Sequence, residues 1–347
     1  MLKEELKQTI GGLWAALAPT ESVAKTTTVA IDAEGVVVSN PYGHGAARWT
    51  EPLLIEGAVG VPGVELVKLL NALPDSELVV QVAKGKLTFR GGRFRGVIPI
   101  QPLEEMPELP EVAGEAVDDI QVSEEEWASL ATAGDFADHA ESSAAELTAV
   151  YWGPQGIIAC NRISAIHYPG AKREVPALIP KSSLVAAAKL GEKPNSIQLG
   201  PNCVRWMWDT VEVVVPTVSM EYPLEMLLDL FASAREGGAR WECDLAVLRE
   251  AVNRAAQLHN QLSVTILQNR LVIKAIGTIP STDTVTGQLF GGEGLLGETF
   301  ILYVPEIQRT LSISDQVVWV FGEKSGRNIL LAQNDGFYCC IALTGER

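Results

Sequence analysis

Apolar and polar positions along this chain change period in a fixed order, and that order comes round three times. Near the start, Leu6, Ile10, Leu13, Trp14 and Leu17 recur at helical spacing, which predicts a helix over about 2–17 stopped by Ala18-Pro19-Thr20. Two strand-like runs follow, 27–31 and 36–39, turned at Asp32-Ala33-Glu34-Gly35. A β-rich passage to about Glu56 leads to Val61-Pro62 and an apolar helical run through Leu66, Val67, Leu69 and Leu70. Strands are expected over 78–83 and 86–90, joined at Ala83-Lys84-Gly85, and again from Phe94 to Ile100.

The pattern then returns. Ser123-Glu124-Glu125-Glu126 opens a helix with an acidic first turn that reaches about Ala133. Strands over 147–152 and 156–160 flank Gly153-Pro154-Gln155, and Pro180-Lys181-Ser182-Ser183 opens a second helix through Lys189. Strands over 196–199, 203–208 and 211–215 precede a connector near Tyr222-Pro223. In the last third the helix runs from Asp244 to Leu258, followed by strands 263–267 and 270–276, a β-rich stretch 283–290 and a short helix at Pro305. Strands over 316–321, 328–333 and 336–343 close the chain. The steps Val61-Pro62, Ile179-Pro180 and Val304-Pro305 lie 118 and 125 residues apart. Solenoid repeats have periods of roughly 20–50 residues, so this repeat is of domain size. The acidic, Pro-rich run Pro102–Gly114 reads as a linker. The expectation is an α+β protein of three tandem domains, 1–117, 118–232 and 233–347, each with two helices packed against antiparallel sheets.

Composition narrows the chemistry. With 47 % apolar residues, each third can bury a core of its own. No run of about 20 uncharged apolar residues exists, so no membrane partner is expected. The acidic start Met1-Leu2-Lys3-Glu4-Glu5 lacks the apolar segment of a secretory signal, and a cytoplasmic location is expected. Five cysteines (Cys160, Cys203, Cys243, Cys339 and Cys340) form no CxxC pair and read as reduced thiols packed as small hydrophobes. Four histidines share no helix face, so neither metal nor other cofactor is expected. Cys160 with His167, and Asp135 with His139, are local pairs without a nucleophile elbow, phosphate loop or metal spacing, which speaks against an enzyme. The net charge of −16 argues against coating nucleic acid by bulk attraction, yet allows a few cations gathered on one inner surface.

The threefold helix–strand plan resembles the bacterial DNA polymerase sliding clamp, the beta-subunit family. Val61-Pro62-Gly63 to Leu73-Pro74-Asp75-Ser76-Glu77, then Val80-Gln81-Val82, is similar to the family's first-domain helix and following strand. Met106-Pro107-Glu108-Leu109 resembles its first-domain exit, Ile179-Pro180-Lys181 its second-domain helix start, and Glu221-Tyr222-Pro223 its entry to domain three. The resemblance implies three DNA-clamp domains and a homodimeric ring that encircles duplex DNA without regard to sequence. It also implies a non-catalytic processivity factor that engages DNA polymerase and clamp loader through their peptide motifs. A protein-binding scaffold that does not encircle DNA is the competing expectation, favoured by the acidity and the thin basic lining.

If helices line a channel, Lys181, Lys68, Lys189, Arg249 and Arg254 are the candidate phosphate contacts, with loop cations Lys25, Lys172 and Arg173 beside them. Lys3, Lys7 and Arg309 also fall on helix positions, and for any one of these residues solvated helix-surface charge with no ligand is the favoured explanation. Lys84, Lys86, Arg90, Arg93 and Arg95 form the densest basic cluster, on strands, where a subunit interface or another partner is expected. The resemblance further implies a peptide pocket. Ala159-Cys160-Asn161-Arg162-Ile163 stands where the family has a Thr-Asp-Gly-His-Arg-Leu run, and Ile341-Ala342-Leu343-Thr344 replaces a terminal Met-Pro-Met-Arg-Leu. The pocket candidates are Arg162, Ile163, Pro223, Met226, Leu227, Ile341 and Leu343, residues that ordinary core packing also explains. These departures suggest a divergent, for example phage-encoded, clamp. Gln288-Leu289-Phe290 looks like a clamp-binding peptide but sits in a strand-like run.

Overall fold

A computed structural model describes residues 6–18, 20–74, 78–112, 118–139, 142, 144–191, 193–236, 239–291, 293–313, 318–324, 327–333, 336–342 and 344–345. In the first passage a π-helical turn, Lys7–Gly11, runs into α1 (Gly12–Leu17), followed by the short α2 (Glu21–Thr26). Then come β1 (Thr28–Ile31), β2 (Gly35–Asn40), β3 (Gly43–Arg48), β4 (Ala58–Pro62), α3 (Gly63–Ala72), β5 (Val79–Ala83), β6 (Lys86–Gly91), β7 (Phe94–Pro99) and β8 (Gln101–Leu103). The second passage is β9 (Asp118–Gln121), α4 (Glu124–Phe136), β10 (Ala149–Gly153), β11 (Gly156–Cys160), β12 (Ser164–Tyr168), β13 (Ala177–Pro180), α5 (Lys181–Lys189), β14 (Ser196–Leu199), β15 (Cys203–Met207) and β16 (Val211–Pro216). The third holds α6 (Leu224–Glu236), β17 (Ala239–Cys243), α7 (Leu245–Ala256), β18 (Gln261–Leu267), β19 (Arg270–Ala275), β20 (Thr282–Phe290) and β21 (Thr299–Tyr303). It ends with α8 (Val304–Ile313), β22 (Val318–Lys324), β23 (Arg327–Gln333), β24 (Tyr338–Ala342) and β25 (Thr344–Gly345). A helix, four strands, a helix and then three or four strands thus occur in each passage, an α+β plan as the hydrophobic pattern predicts.

Local chemistry explains the element starts. Ser123 and Glu126 form a reciprocal capping box: the Ser123 hydroxyl accepts the Glu126 N–H at 3.1 Å while the Glu126 carboxylate accepts the Ser123 N–H at 3.1 Å. Asp244 caps α7 through the Ala246 N–H at 2.9 Å. Lys84 and Gly85 both have positive φ, 52° and 71°, as a two-residue turn joining β5 to β6 requires. Several features depart from expectation. Pro102 and Leu103, expected in a linker, belong to β8 and pair with Val59 and Ala58 of β4, and Glu21–Thr26, expected to carry no element, is the helix α2. The first helix winds as a π turn before its α segment, where Gly11 and Gly12 lie. The region after Tyr222-Pro223, expected as a connector, is the 13-residue helix α6, whose Leu227, Phe231 and Ala234 bury one face at helical spacing.

The chain forms two compact units, one of residues 1–131 with 174–219, the other of 132–173 with 220–347. The first holds a nine-stranded antiparallel sheet in the order β8-β4-β1-β2-β3-β16-β15-β14-β9, and a separate sheet β5-β6-β7. Its core gathers Ile10, Leu13, Val29, Ile31, Val38, Leu66 and Trp206, all buried. Trp206 donates its Nε1–H to Ser183 at 3.0 Å and meets Trp127 edge-on at 5.7 Å. Gly63 is an obligate close approach, since a Cβ there would fall 2.1 Å from the Trp14 ring. In the second unit β10-β11-β12-β24-β23-β22-β17-β20-β19-β18-β21-β25 are joined in that order. There α6 packs on β22–β24, and α7 packs on α8 and on β18–β20. Among the described residues no helix is long and apolar enough to cross a membrane.

Candidate partner groove and cationic surfaces

A groove of about 590 Å³ opens in the second unit. Its floor is a cross-strand row: Cys160 on β11 faces Ala165 on β12, which faces Cys340 on β24. One wall is the first turns of α6, with Pro223, Met226, Leu227 and Leu230 at i, i+3, i+4 and i+7. Tyr222 anchors that wall; it is buried, stacks on Tyr151 at 5.9 Å and donates to the Ile158 carbonyl at 3.4 Å. The opposite rim is the 161–163 turn. Met226 is 62 % exposed and Ile163 40 %, whereas Leu227 lies in the core. An apolar floor with an exposed methionine on its lip is the build of a site for an apolar side chain.

The groove brings together Arg162, Ile163, Pro223, Met226 and Leu227 of the residues expected from sequence. Ile341 is fully buried, and its strand neighbours Cys340 and Ala342 line the groove. Leu343 lies outside the described residues, as does Lys3. Glu146, Leu147, Cys160, Ser164, Ala165 and Leu230 join the lining without having been singled out for it. The signal for Leu230 was present, one helical turn beyond Met226. Cys160, Ser164 and Ala165 depend on strand register, and Glu146 and Leu147 on the short 3-10 turn Ala145–Thr148.

Burial pushes the Cys160 thiol up to about 11 even though the Tyr222 hydroxyl opposes the shift, so Cys160 packs as a neutral, small hydrophobe. His167 donates Nε2–H to the Gln155 carbonyl at 2.8 Å, its ring packs against Phe231, and burial lowers its pKa. His139 places Nδ1 2.7 Å from Asp138, not on Asp135. Burial raises the Asp138 carboxyl, but hydrogen bonds from Ser142 and His139 outweigh it and leave the pKa lowered. That carboxylate lies 3.7 Å from Arg162 Nε, and Arg162 also donates to Ser142 at 3.2 Å. Arg162 is held in the left-handed region, φ 74°. Behind it, the Asn161 side-chain oxygen accepts the backbone N–H of Ile163 at 3.1 Å and of Ser164 at 2.9 Å. Among the described residues no group of three or more His, Cys, Asp or Glu gathers as metal ligands would.

The cations expected to meet phosphate divide between the units. In the first, Lys68 is exposed on α3 and Lys181 half-buried at the start of α5. Lys25 pairs with Glu21 at 2.8 Å, and Lys189 reaches the Ala15 carbonyl at 3.4 Å. In the second, Lys172 is exposed and the Arg173 guanidinium lies 4.6 Å over Trp152. Arg249 donates to the Leu311 carbonyl at 2.7 Å, and Arg254 pairs with Asp283 at 2.9 Å and Glu250 at 3.5 Å. Arg309 pairs with Glu306 at 2.6 Å.

The β5-β6-β7 sheet is different. Leu87, Phe89 and Ile98 bury one face, while Lys86, Arg90 and Arg95 stand on the other, with Lys84 and Arg93 in the turns. All five cations are exposed, and residues 78–103 contain no Asp or Glu. Arg90 and Arg95 are direct cross-strand partners. Val79 and Val97 are also exposed on this sheet, and β5 and β7 are its edges. Gln288-Leu289-Phe290 is strand, paired to 240–242 of β17.

No protein-family model matches the chain, and no curated protein matches it. Solved structures do. The beta sliding clamp of C. crescentus superposes with a TM-score of 0.81 at 14 % identity, over 100 % of this chain and 98 % of that one. The DNA polymerase III subunit beta of Pseudomonas aeruginosa gives 0.78 at 17 %, over 100 % and 99 %. A P. aeruginosa clamp bound to griselimycin gives 0.77 at 16 %, over 100 % and 98 %. At such identities the likeness is one of fold.

Proposed function

We propose that this chain is a DNA sliding clamp: two copies close into a ring of six similar domains around duplex DNA and tether a polymerase without catalysing a reaction. The observation that carries this reading is the end-to-end likeness of fold to bacterial beta clamps, with no part of the chain left over. The three domains are 1–117, 118–232 and 233–347. The groove at Ile163 and Met226 takes the peptide motifs of the polymerase and the clamp loader. An apolar site rimmed by polar groups suits short segments with one or two large anchors.

Ring closure needs a head-to-tail contact between copies. The β5-β6-β7 sheet supplies what such a contact needs: an edge strand at β7, exposed Val97, and exposed cations to face the acidic body of a second copy. Retention on DNA is then topological, so phosphate contacts stay few and weak, and Lys68, Lys172 and Lys181 suffice as the lining. The ring works in the cytoplasm, where the chromosome or phage genome is copied.

Loading onto nicked circular DNA tests the reading. The protein should remain on circles, leave when they are cut to linear form, and have a native mass twice that of one chain. A protein-binding scaffold is the second reading, supported by the internal partners already held by Lys25, Arg173, Arg249 and Arg254. It predicts equal, negligible retention on circles and linear DNA.

A further inference from the structure

Glu306 is an anomaly in an apolar neighbourhood. It sits on α8, 4 % exposed, beside Ile307 and Leu311 in the core. Burying a carboxylate costs several kcal/mol unless it is paired and hydrogen-bonded, and an apolar residue of similar volume is often the more stable choice. Its partners point to what the charge achieves. The carboxylate accepts from the Asn161 amide at 3.3 Å and from the Ser164 hydroxyl, both more than 140 residues earlier in the chain. Arg309 neutralises it at 2.6 Å and lies 5.2 Å over the Phe136 ring. Asn161 and Ser164 are the two ends of the turn that carries Arg162 and Ile163 to the groove rim. The same Asn161 side chain spends its oxygen on the backbone of Ile163 and Ser164. These links from α8 to the rim are directional hydrogen bonds, and the turn contains the left-handed Arg162, a conformation that L-residues other than glycine rarely adopt.

We propose that Glu306 is a positioning residue for the groove: from α8 its carboxylate clamps Asn161 and Ser164, and so presents Arg162 and Ile163 to an incoming partner segment. The partner half of this statement rests on the clamp reading; the clamping itself does not. Deleting Glu306 should therefore loosen the rim while leaving the groove floor and α6 in place.

The test is amide hydrogen exchange on the full chain, comparing Glu306→Leu and Glu306→Gln with the parent. Glu306→Leu should speed exchange of the Ile163 and Ser164 amides by about 10-fold or more, with β18 and β19 unchanged, because only a local opening has become easier. Glu306→Gln keeps an oxygen for the Ser164 hydroxyl and should stay within about threefold of the parent. If Glu306→Leu does not fold, Ser164→Ala cuts the same link and should reproduce the local loosening. Unchanged exchange at Ile163 and Ser164 overturns the proposal, and so does an equal rise across β18 and β19, which would make Glu306 merely a stabiliser of the unit. Met226→Asp serves as the control. It should leave rim exchange untouched, so a failure of the partner reading would appear in polymerase stimulation alone.

Discussion

The sheet β5-β6-β7 and the groove are both surfaces that the chain's own fold leaves uncovered, and they are built on opposite terms. The sheet displays five cations, none paired with a carboxylate among the described residues, in a chain whose net charge is −16. The groove displays Met226 and Ile163, while Arg162 is tied to Asp138 and Glu306 to Arg309. Placing Arg90 directly opposite Arg95 costs the isolated fold something, and so does exposing a methionine. Long-range charge speeds and orients an encounter, whereas apolar anchors in a fixed frame hold a ligand once it has arrived. On the clamp reading proposed above, the difference suits a closure that must find its register and a grip that must last.

Reversing the sheet's charge should have the largest effect. Arg90→Glu with Arg95→Glu is expected to halve the native mass in gel filtration and abolish retention on circular DNA; a normal mass would remove this sheet from the interface. Next, Met226→Asp should lower stimulation of the partner polymerase by about 10-fold or more while the mass stays that of the ring, as expected for an anchor position. Milder still, Arg95→Thr should relieve the Arg90 repulsion. The chain, diluted until monomeric, should gain about 0.2–1 kcal/mol in denaturant melts even as association weakens.

The smallest effect concerns acid. His167, buried near the groove, has a lowered pKa, so the unfolded chain takes up a proton first as pH falls through the ordinary value of 6.5. Stability should decline from there and level off below the folded value. His167→Gln should flatten much of that decline in Tm, with His44, also lowered by burial, supplying the remainder. A slope identical to the parent's would show that His167 is not the titrating group.

Much of this architecture is legible in sequence because the Pro steps and the alternating runs are local signals. The turn at Lys84-Gly85, the cap at Ser123 and the helix opening at Lys181 all sit where side-chain chemistry alone places them. The wall of the groove was partly legible too: Pro223, Met226 and Leu227 were candidates, although α6 itself was hidden because Tyr222-Pro223 reads as punctuation when it is the anchor of a helix start. The floor was not legible. Cys160, Ala165 and Cys340 meet only through pairing between strands far apart in the chain, and a single step along β24 separates the buried Ile341 from the lining Cys340 and Ala342. Glu306 escaped for the same reason, since nothing near it in sequence hints at Asn161 or Ser164.

Three remote stretches, around 160, 226 and 340, meet at the groove. Anything that binds there only when all three are assembled joins remote parts of the polypeptide, so occupancy raises the melting temperature whatever the occupant's identity. A dye-based melt of the purified protein against a library of short peptides or macrocycles would then rank binders directly.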